Sequence, residues 1–361
     1  MAKIMFVKIK SIIIVLICII NIFSVKSFAL DYDDESVIDV SAKSAIVMEK
    51  ETGRILYGKN INEKRAVAST TKIMTALLTL EQENIDEFFK VDDNAINVVG
   101  TSAGLRHGDK ASLRDLAVGM LLASGNDAAN AAAVKISGST SEFAKLMNQR
   151  AQEIGMKNTR FVTPSGLDDG EPYSTAYDMA ILARTALDND NFANICSKKS
   201  QSVFYGDPPT VRFLSNHNRL LKTYDGCNGV KTGFTKKAGR CLVSSAKVGN
   251  KTLICVTLGA SDDWNIHKTL YDRYFGEIEM VNLKDMVGEV KHTIIGGKES
   301  NVYLHGAEDK SYPIKKGEHD KIEMIITKNK FDYKHCDDNQ VYGKAIFYFE
   351  NEKIYEMPLI L

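Results

Sequence analysis

Two stretches that read as β-hairpins lie far apart in this chain, and most of the sequence between them reads as helix. "AKSAIVME" (42–49), the turn "KETG" and "RILYGK" (54–59) are β-prone runs around a glycine-bearing loop. "RCLVSSAKV" (240–248) and "KTLICVTLG" (251–259) flank "GN", a two-residue hairpin turn. Ser69 to about Gln82 reads as a helix. The region 112–190 is helical in pattern, with Ser112 and Asp115, Ser139 and Glu142, and Thr175 and Asp178 spaced as helix-capping pairs. "WNIHKTLYDRYF" (264–275) reads as a closing helix. Strands at both ends with helices between them predict an α+β domain: one antiparallel sheet assembled from both ends, with a helical insertion.

After about residue 283 the texture changes. "HTIIGG", "SNVYLH", "KIEMIIT", "KAIFYFE" and "KIYEMPLIL" are short β-prone runs separated by turn residues, which predicts a small all-β domain. At the other end, Lys3, Lys8 and Lys10 precede "SIIIVLICIINIF", and "SFA" follows. That is the pattern of a secretory leader, here 1–29, and the apolar run is shorter than the ~20 residues of a spanning helix. The expected division is therefore 1–29 leader, 30–279 main domain and 280–361 β-rich domain, with the mature chain outside the cytoplasmic membrane. Formal net charge is zero, so no basic surplus marks a nucleic-acid partner. Of six cysteines, Cys18 leaves with the leader. Cys196, Cys227, Cys241, Cys255 and Cys336 remain, an odd set with no CxxC pair. The seven histidines form no HExxH. Neither a disulfide framework nor a metal site is expected, and no cofactor.

"AVASTTKIMTALL" (66–78) holds the first chemical feature: Ser69 and Lys72, three apart at the head of an apolar run. On a helix these share a face. A serine becomes a nucleophile when a base takes its proton, and a lysine is that base only if its pKa falls. Burial and a nearby second cation both lower it. Ser244 and Lys247 repeat the spacing on a predicted strand, where they point to opposite faces. Two more stretches matter. "SGNDAA" sets Ser124 and Asn126 between helical segments 113–122 and 127–136, and "GVKTGFT" sets Lys231, Thr232 and Gly233 ahead of the second hairpin.

Ser-x-x-Lys, Ser-x-Asn and Lys-Thr-Gly in that order resemble the active-site set of penicillin-recognising serine enzymes. With "AIVMEKETGRILYGKN", "YSTAYDMAILAR" and "VKTGFTKKAGRCLVSSA", residues 36–361 resemble the D-alanyl-D-alanine carboxypeptidases: low-molecular-weight penicillin-binding proteins of peptidase family S11. The resemblance implies a β-lactamase/transpeptidase-like domain followed by the β-rich domain. It implies a serine hydrolase that removes the terminal D-alanine from peptidoglycan stem peptides ending in D-Ala-D-Ala and that binds β-lactam antibiotics. In it Ser69 attacks, Lys72 takes its proton, and Ser124 relays a proton to the leaving group. The N–H groups of Ser69 and Phe234 form the oxyanion hole. Asn126 holds Lys72 and the substrate, Lys231 and Thr232 meet the substrate carboxylate, and Gly233 lets the strand approach. Relatives usually carry an arginine before the closing helix; here the stretch is "SDDWNIH". Asp262 and Asp263 are expected to point to solvent, with Arg240 or His267 as substitute donor. The tail ends in a strand-like "IYEMPLIL" rather than an amphipathic helix, which leaves membrane attachment open. A serine β-lactamase, with a base such as Glu171 in "TPSGLDDGEPYS", and an inactive wall-binding protein are the alternative readings.

Overall fold

The two distant hairpins pair in one sheet in the computed structural model, which describes residues 38–167, 170–296, 301–333 and 340–361. The expected leader, Cys18, Asp168, Asp169 and Cys336 lie outside these residues. Strands β1 (Ser44–Glu49) and β2 (Ile55–Lys59) are followed by helix α1 (Lys72–Leu80) and a short ribbon, β3 (Phe88–Lys90) with β4 (Lys110–Ser112). Helices α2 (Leu113–Leu121), α3 (Asn126–Ser137), α4 (Thr140–Glu153), α5 (Ala176–Leu187) and α6 (Asp190–Cys196) come next. A hairpin, β5 (Ser200–Gly206) and β6 (Pro209–Ser215), and a single turn of helix, α7 (Leu220–Thr223), lead into β7 (Cys227–Thr235), β8 (Gly239–Val248) and β9 (Lys251–Ala260), and α8 (Asp263–Glu277) closes the domain. The sheet order is β2-β1-β9-β8-β7 with every pair antiparallel, so β7 is an edge. This is the predicted α+β arrangement.

Local chemistry explains the helix starts. Ser112, Ser139 and Thr175 are N-caps whose side-chain oxygens accept from the N–H of Asp115, Glu142 and Asp178 at 3.1, 3.1 and 3.0 Å. The helix predicted from Ser69 begins later: Ala68–Thr71 form a 3₁₀ turn and α1 starts at Lys72. All nine residues of α1 are buried. Such a helix is a core element rather than a surface one, and Ile73, Met74, Leu77 and Leu78 belong to the main core together with α2, α3 and the inner face of the sheet.

The β-rich part begins at β10 (Ile278–Asn282). It continues through the short α9 (Leu283–Val287), β11 (Val290–Ile295), β12 (Asn301–Gly306), β13 (Ser311–Lys315), β14 (Ile322–Lys328), β15 (Asp332–Tyr333), β16 (Gly343–Phe349) and β17 (Glu352–Ile360). Six of these strands form one sheet, β14-β16-β17-β12-β11-β15, and β10 pairs with β13. This part has its own core around Leu304, Ile314, Phe347, Met357 and Leu359. No helix among the described residues is long and apolar enough to cross a bilayer.

Arg54, in the turn before β2, joins the two parts. Its Nη2 donates to Glu318 Oε2 at 2.7 Å, its Nη1 donates to the Pro313 carbonyl, and the guanidinium lies 4.2 Å from the centre of the Phe349 ring. Both charged side chains are at most 10 % exposed. Removing one member of a buried pair leaves the other poorly compensated, so Arg54→Ala is expected to cost about 2–3 kcal/mol in urea denaturation. Arg54→Lys should recover only part of that, because an ammonium lacks the planar fork that reaches both acceptors. Unchanged stability in Arg54→Ala would mean that the contact is incidental.

Candidate active site

The three motifs converge on a cleft of about 350 Å³. Its lining includes Ser69, Ser124, Thr232, Gly233 and Phe234. Ser69 sits in the 3₁₀ turn at the head of α1, and Lys72 is fully buried. Lys72 Nζ lies 3.0 Å from Ser69 Oγ, 2.7 Å from Asn126 Oδ1 and 2.6 Å from the Ser165 carbonyl oxygen. A neutral amine has two N–H bonds and one lone pair. Two carbonyl-type oxygens take the N–H bonds, and the lone pair is left for the Ser69 hydroxyl. Burial drives the Lys72 pKa well below the usual lysine value, and the charge of Lys231 lowers it further; Asp127 opposes the fall.

Lys231, near the centre of edge strand β7, is also buried. Its Nζ donates to Ser124 Oγ at 3.0 Å and to the Thr232 carbonyl at 2.8 Å, and burial pushes its pKa down to about 7. Ser124 joins α2 to α3 with φ +59, a left-handed conformation that costs a serine on the order of 1 kcal/mol. Asn126 opens α3. Its Oδ1 meets Lys72, while its Nδ2 donates to the Val99 carbonyl at 2.7 Å. Gly233 has a direct steric reason: a Cβ there would come within 3.0–3.1 Å of Thr70 N, Ser69 N and the Val67 oxygen. Only glycine lets β7 lie this close to the nucleophile turn. Phe234 is 65 % exposed at the mouth.

Thr101, His217 and Arg219, unread in the sequence, line the cleft beside Arg240, Asp263 and Trp264. The Ser165 carbonyl comes from a loop whose Gly166, at φ +79, presses against the Ala68 carbonyl, where a Cβ would stand 2.1 Å away. A glycine after "TPS" was the available hint.

Two expectations are corrected. Asp262 is exposed, but Asp263 is buried rather than solvent-facing. Its Oδ1 accepts from Arg240 Nε at 3.0 Å and Nη2 at 2.7 Å, so a cation across the strand draws it inward. His267 is no carboxylate donor. It lies between α8 and the sheet, with Nδ1 2.6 Å from Ser244 Oγ and Nε2 2.9 Å from Thr257 Oγ1. Ser244 also bonds the Tyr271 hydroxyl and is fully buried, which removes it as a rival nucleophile. Glu171 is exposed and does not line the cleft.

Known proteins resemble this chain over most of its length. The family profile described as D-alanyl-D-alanine carboxypeptidase matches residues 31–262, and that described as penicillin-binding protein 5, C-terminal domain, matches 275–361. The chain is 38 % identical to the D-alanyl-D-alanine carboxypeptidase DacF of Bacillus subtilis over 289 residues, 77 % of this chain and 73 % of that one. It is 31 % identical to DacC of Escherichia coli over 94 % of this chain and 88 % of that one. Among solved structures, penicillin-binding protein 5 from Haemophilus influenzae superposes with a TM-score of 0.72 at 28 % identity, covering 90 % of this chain and 97 % of that one. DacD from Francisella tularensis gives 0.69 at 28 %, covering 90 % and 93 %.

The His267 site sets a pH dependence. Burial pushes its pKa down to about 3, against about 6.5 in an unfolded chain. As pH falls through 6.5 the unfolded chain binds a proton that the folded chain refuses. The stability that this histidine contributes is therefore intact above pH 6.5 and falls by up to about 1.4 kcal/mol per unit towards pH 3. His267→Gln, which cannot titrate, is expected to show a shallower loss of urea stability between about pH 6 and pH 4 than the parent chain. Equal slopes would remove His267 as the cause.

Proposed function

The chain belongs to the D-alanyl-D-alanine carboxypeptidase family, and from that premise we propose how its cleft works. The protein is a D-Ala-D-Ala carboxypeptidase, a penicillin-binding hydrolase of the cell wall. Ser69 Oγ attacks the carbonyl carbon between the two D-alanines while its proton passes to neutral Lys72. Charge on the carbonyl oxygen is met by backbone N–H groups of Ser69 and Phe234. The C–N bond then breaks. The departing amine takes that proton back from Lys72 by relay through Ser124, whose hydroxyl Lys231 holds, and Lys72 is neutral again for the attacking water. Water hydrolyses the acyl-enzyme. A β-lactam follows the same acylation, but its leaving nitrogen stays tethered by the opened ring. The single observation that supports these roles best is the three-way contact of Lys72 with Ser69, Asn126 and the Ser165 carbonyl.

The free carboxylate of the substrate needs donors of its own. Thr232 and Lys231 supply a hydroxyl and a charge. Arg240 is the nearest substitute for the absent arginine. Asp263 holds it from one side, and it remains part-exposed at the cleft. Arg219 is a second arginine of the wall. We further propose that residues 1–29 act as an export leader, so that the enzyme works on the outer side of the cytoplasmic membrane on stem peptides ending in D-Ala-D-Ala. The lactamase reading loses ground because Glu171 lies away from the cleft lining. The inactive-protein reading loses ground because Lys72 contacts both Ser69 and Asn126, and Lys231 contacts Ser124.

The test is D-alanine release from a D-Ala-D-Ala peptide, run beside turnover of a chromogenic cephalosporin. D-Alanine release with slow cephalosporin turnover is expected; fast cephalosporin turnover alone would reverse the assignment. The same peptide as its C-terminal amide reads the carboxylate site. Arg240→Ala is expected to lower kcat/KM on the acid at least tenfold more than on the amide, and Arg219→Ala to do so less. Equal losses on the two substrates would leave Thr232 and Lys231 as the only carboxylate contacts.

A further inference from the structure

Asp127 follows Asn126 and is buried, 1 % exposed, yet no step above uses it. Its carboxylate takes five donors. Oδ1 accepts from the N–H of Ala103 at 2.7 Å and of Ala128 at 2.9 Å. Oδ2 accepts from Ser102 Oγ at 2.6 Å and from the N–H of Gly104 and Leu105, both at 3.0 Å. Three consecutive backbone N–H groups thus wrap one anion, the arrangement that elsewhere forms an anion-binding nest. Here a carboxylate of the protein itself fills it.

The segment that is wrapped matters. Residues 99–105 form no helix or strand, so their backbone groups need partners from elsewhere. Asn126 supplies the first pair: its N–H donates to the Thr101 carbonyl at 2.8 Å and its Nδ2 to the Val99 carbonyl. Asp127 takes the N–H groups of Ala103, Gly104 and Leu105. Thr101, exposed on the cleft wall, is therefore pinned on both sides by two adjacent residues. The packing is close as well: a Cβ on Gly125 would stand 2.6 Å from Ala103 Cβ and 2.7 Å from Asp127 Oδ1. Because the amide of Asn126 is divided between Val99 and Lys72, any loosening of this loop frees the amide that fixes Lys72.

We propose that Asp127 is a positioning residue for acylation: it locks the 99–105 loop as one wall of the cleft and, through Val99 and Asn126, holds Lys72 in register with Ser69. This inference rests on the acyl-enzyme reading given above.

The experiment titrates active sites with a fluorescent penicillin, so that rates refer to competent molecules, and then measures the second-order acylation rate and the kcat and KM of D-alanine release. In Asp127→Asn an amide NH₂ must face backbone donors. Acylation per titrated site is expected to fall at least thirtyfold, with kcat falling more than KM rises. Ser102→Ala removes one donor and keeps the carboxylate, and is expected to stay within threefold of the parent. A purely stabilising role would lower the melting temperature of Asp127→Asn and leave its rate per site unchanged; that result would overturn the proposal. Should Asp127→Asn not fold, Gly104→Ala decides. Gly104 has φ +90, and a Cβ there would stand 2.9 Å from Arg212 Nη1, so a methyl strains the loop and shifts that arginine without touching the carboxylate. A fall in its rate per site of fivefold or more supports the proposal, and anything smaller contradicts it. A parent chain that takes up no penicillin would instead defeat the underlying reading, a result distinct from either.

Discussion

Everything in the catalytic domain depends on burying one amine. Lys72 lies among apolar neighbours with no measurable exposure, where a charged ammonium would lose its hydration. The domain meets that cost with three polar partners drawn from three separate parts of the chain: Ser69 from the turn before α1, Asn126 from the start of α3, and the Ser165 carbonyl from the loop after α4. Ser69 is as local as a helix cap, three residues away, but Asn126 and Ser165 lie far along the chain. The site therefore exists only when the helical insertion has folded onto itself and the turn has been pressed against the sheet.

The sheet provides the second half. Its strands come from both ends of the domain, which leaves β7 at an edge beside Ser69. Gly233 makes the close approach possible, and Lys231 brings a second buried cation to the same place. Two neighbouring ammonium groups in a dry site cannot both stay charged at neutral pH without great cost. Lys231 has Ser124 and the Thr232 carbonyl to stabilise its charge. Lys72 has two acceptors and a hydroxyl, which suits the neutral amine. Burial lowers the pKa of both lysines, and the charge of Lys231 lowers that of Lys72 further, which makes Lys72 the base.

What could be read from the sequence was what depends on residue type at fixed spacing. The caps at Ser112, Ser139 and Thr175 were legible because the bond that they make spans three residues. The three motifs were legible because nucleophile, base and glycine cannot be exchanged for other residue types. The Ser165 carbonyl was not, since every residue carries one and only the tertiary fold selects it. The orientation of Asp263 was missed because its partner, Arg240, lies across the β8–α8 junction. The hairpin of β5 and β6 was missed because Phe204, Val211 and Phe213 are exposed on one face while Val203 and Tyr205 are buried on the other, which blurs the alternation that marks a half-buried strand. The late start of α1 also lay beyond the pattern, since the 3₁₀ turn at Ala68–Thr71 is shaped by its contacts with β7 and the Gly166 loop.

The most direct measurement is the mass and the location of the adduct formed with penicillin in the parent chain and in Lys72→Arg. If buried Lys72 is the neutral base for Ser69, the parent gains the mass of one drug molecule, and the label maps to the peptide containing Ser69. Lys72→Arg then gains almost none over the same time, because a guanidinium stays protonated and cannot accept the serine proton. A label on another serine, or Lys72→Arg acylated at a rate close to that of the parent, would contradict the role assigned to this lysine.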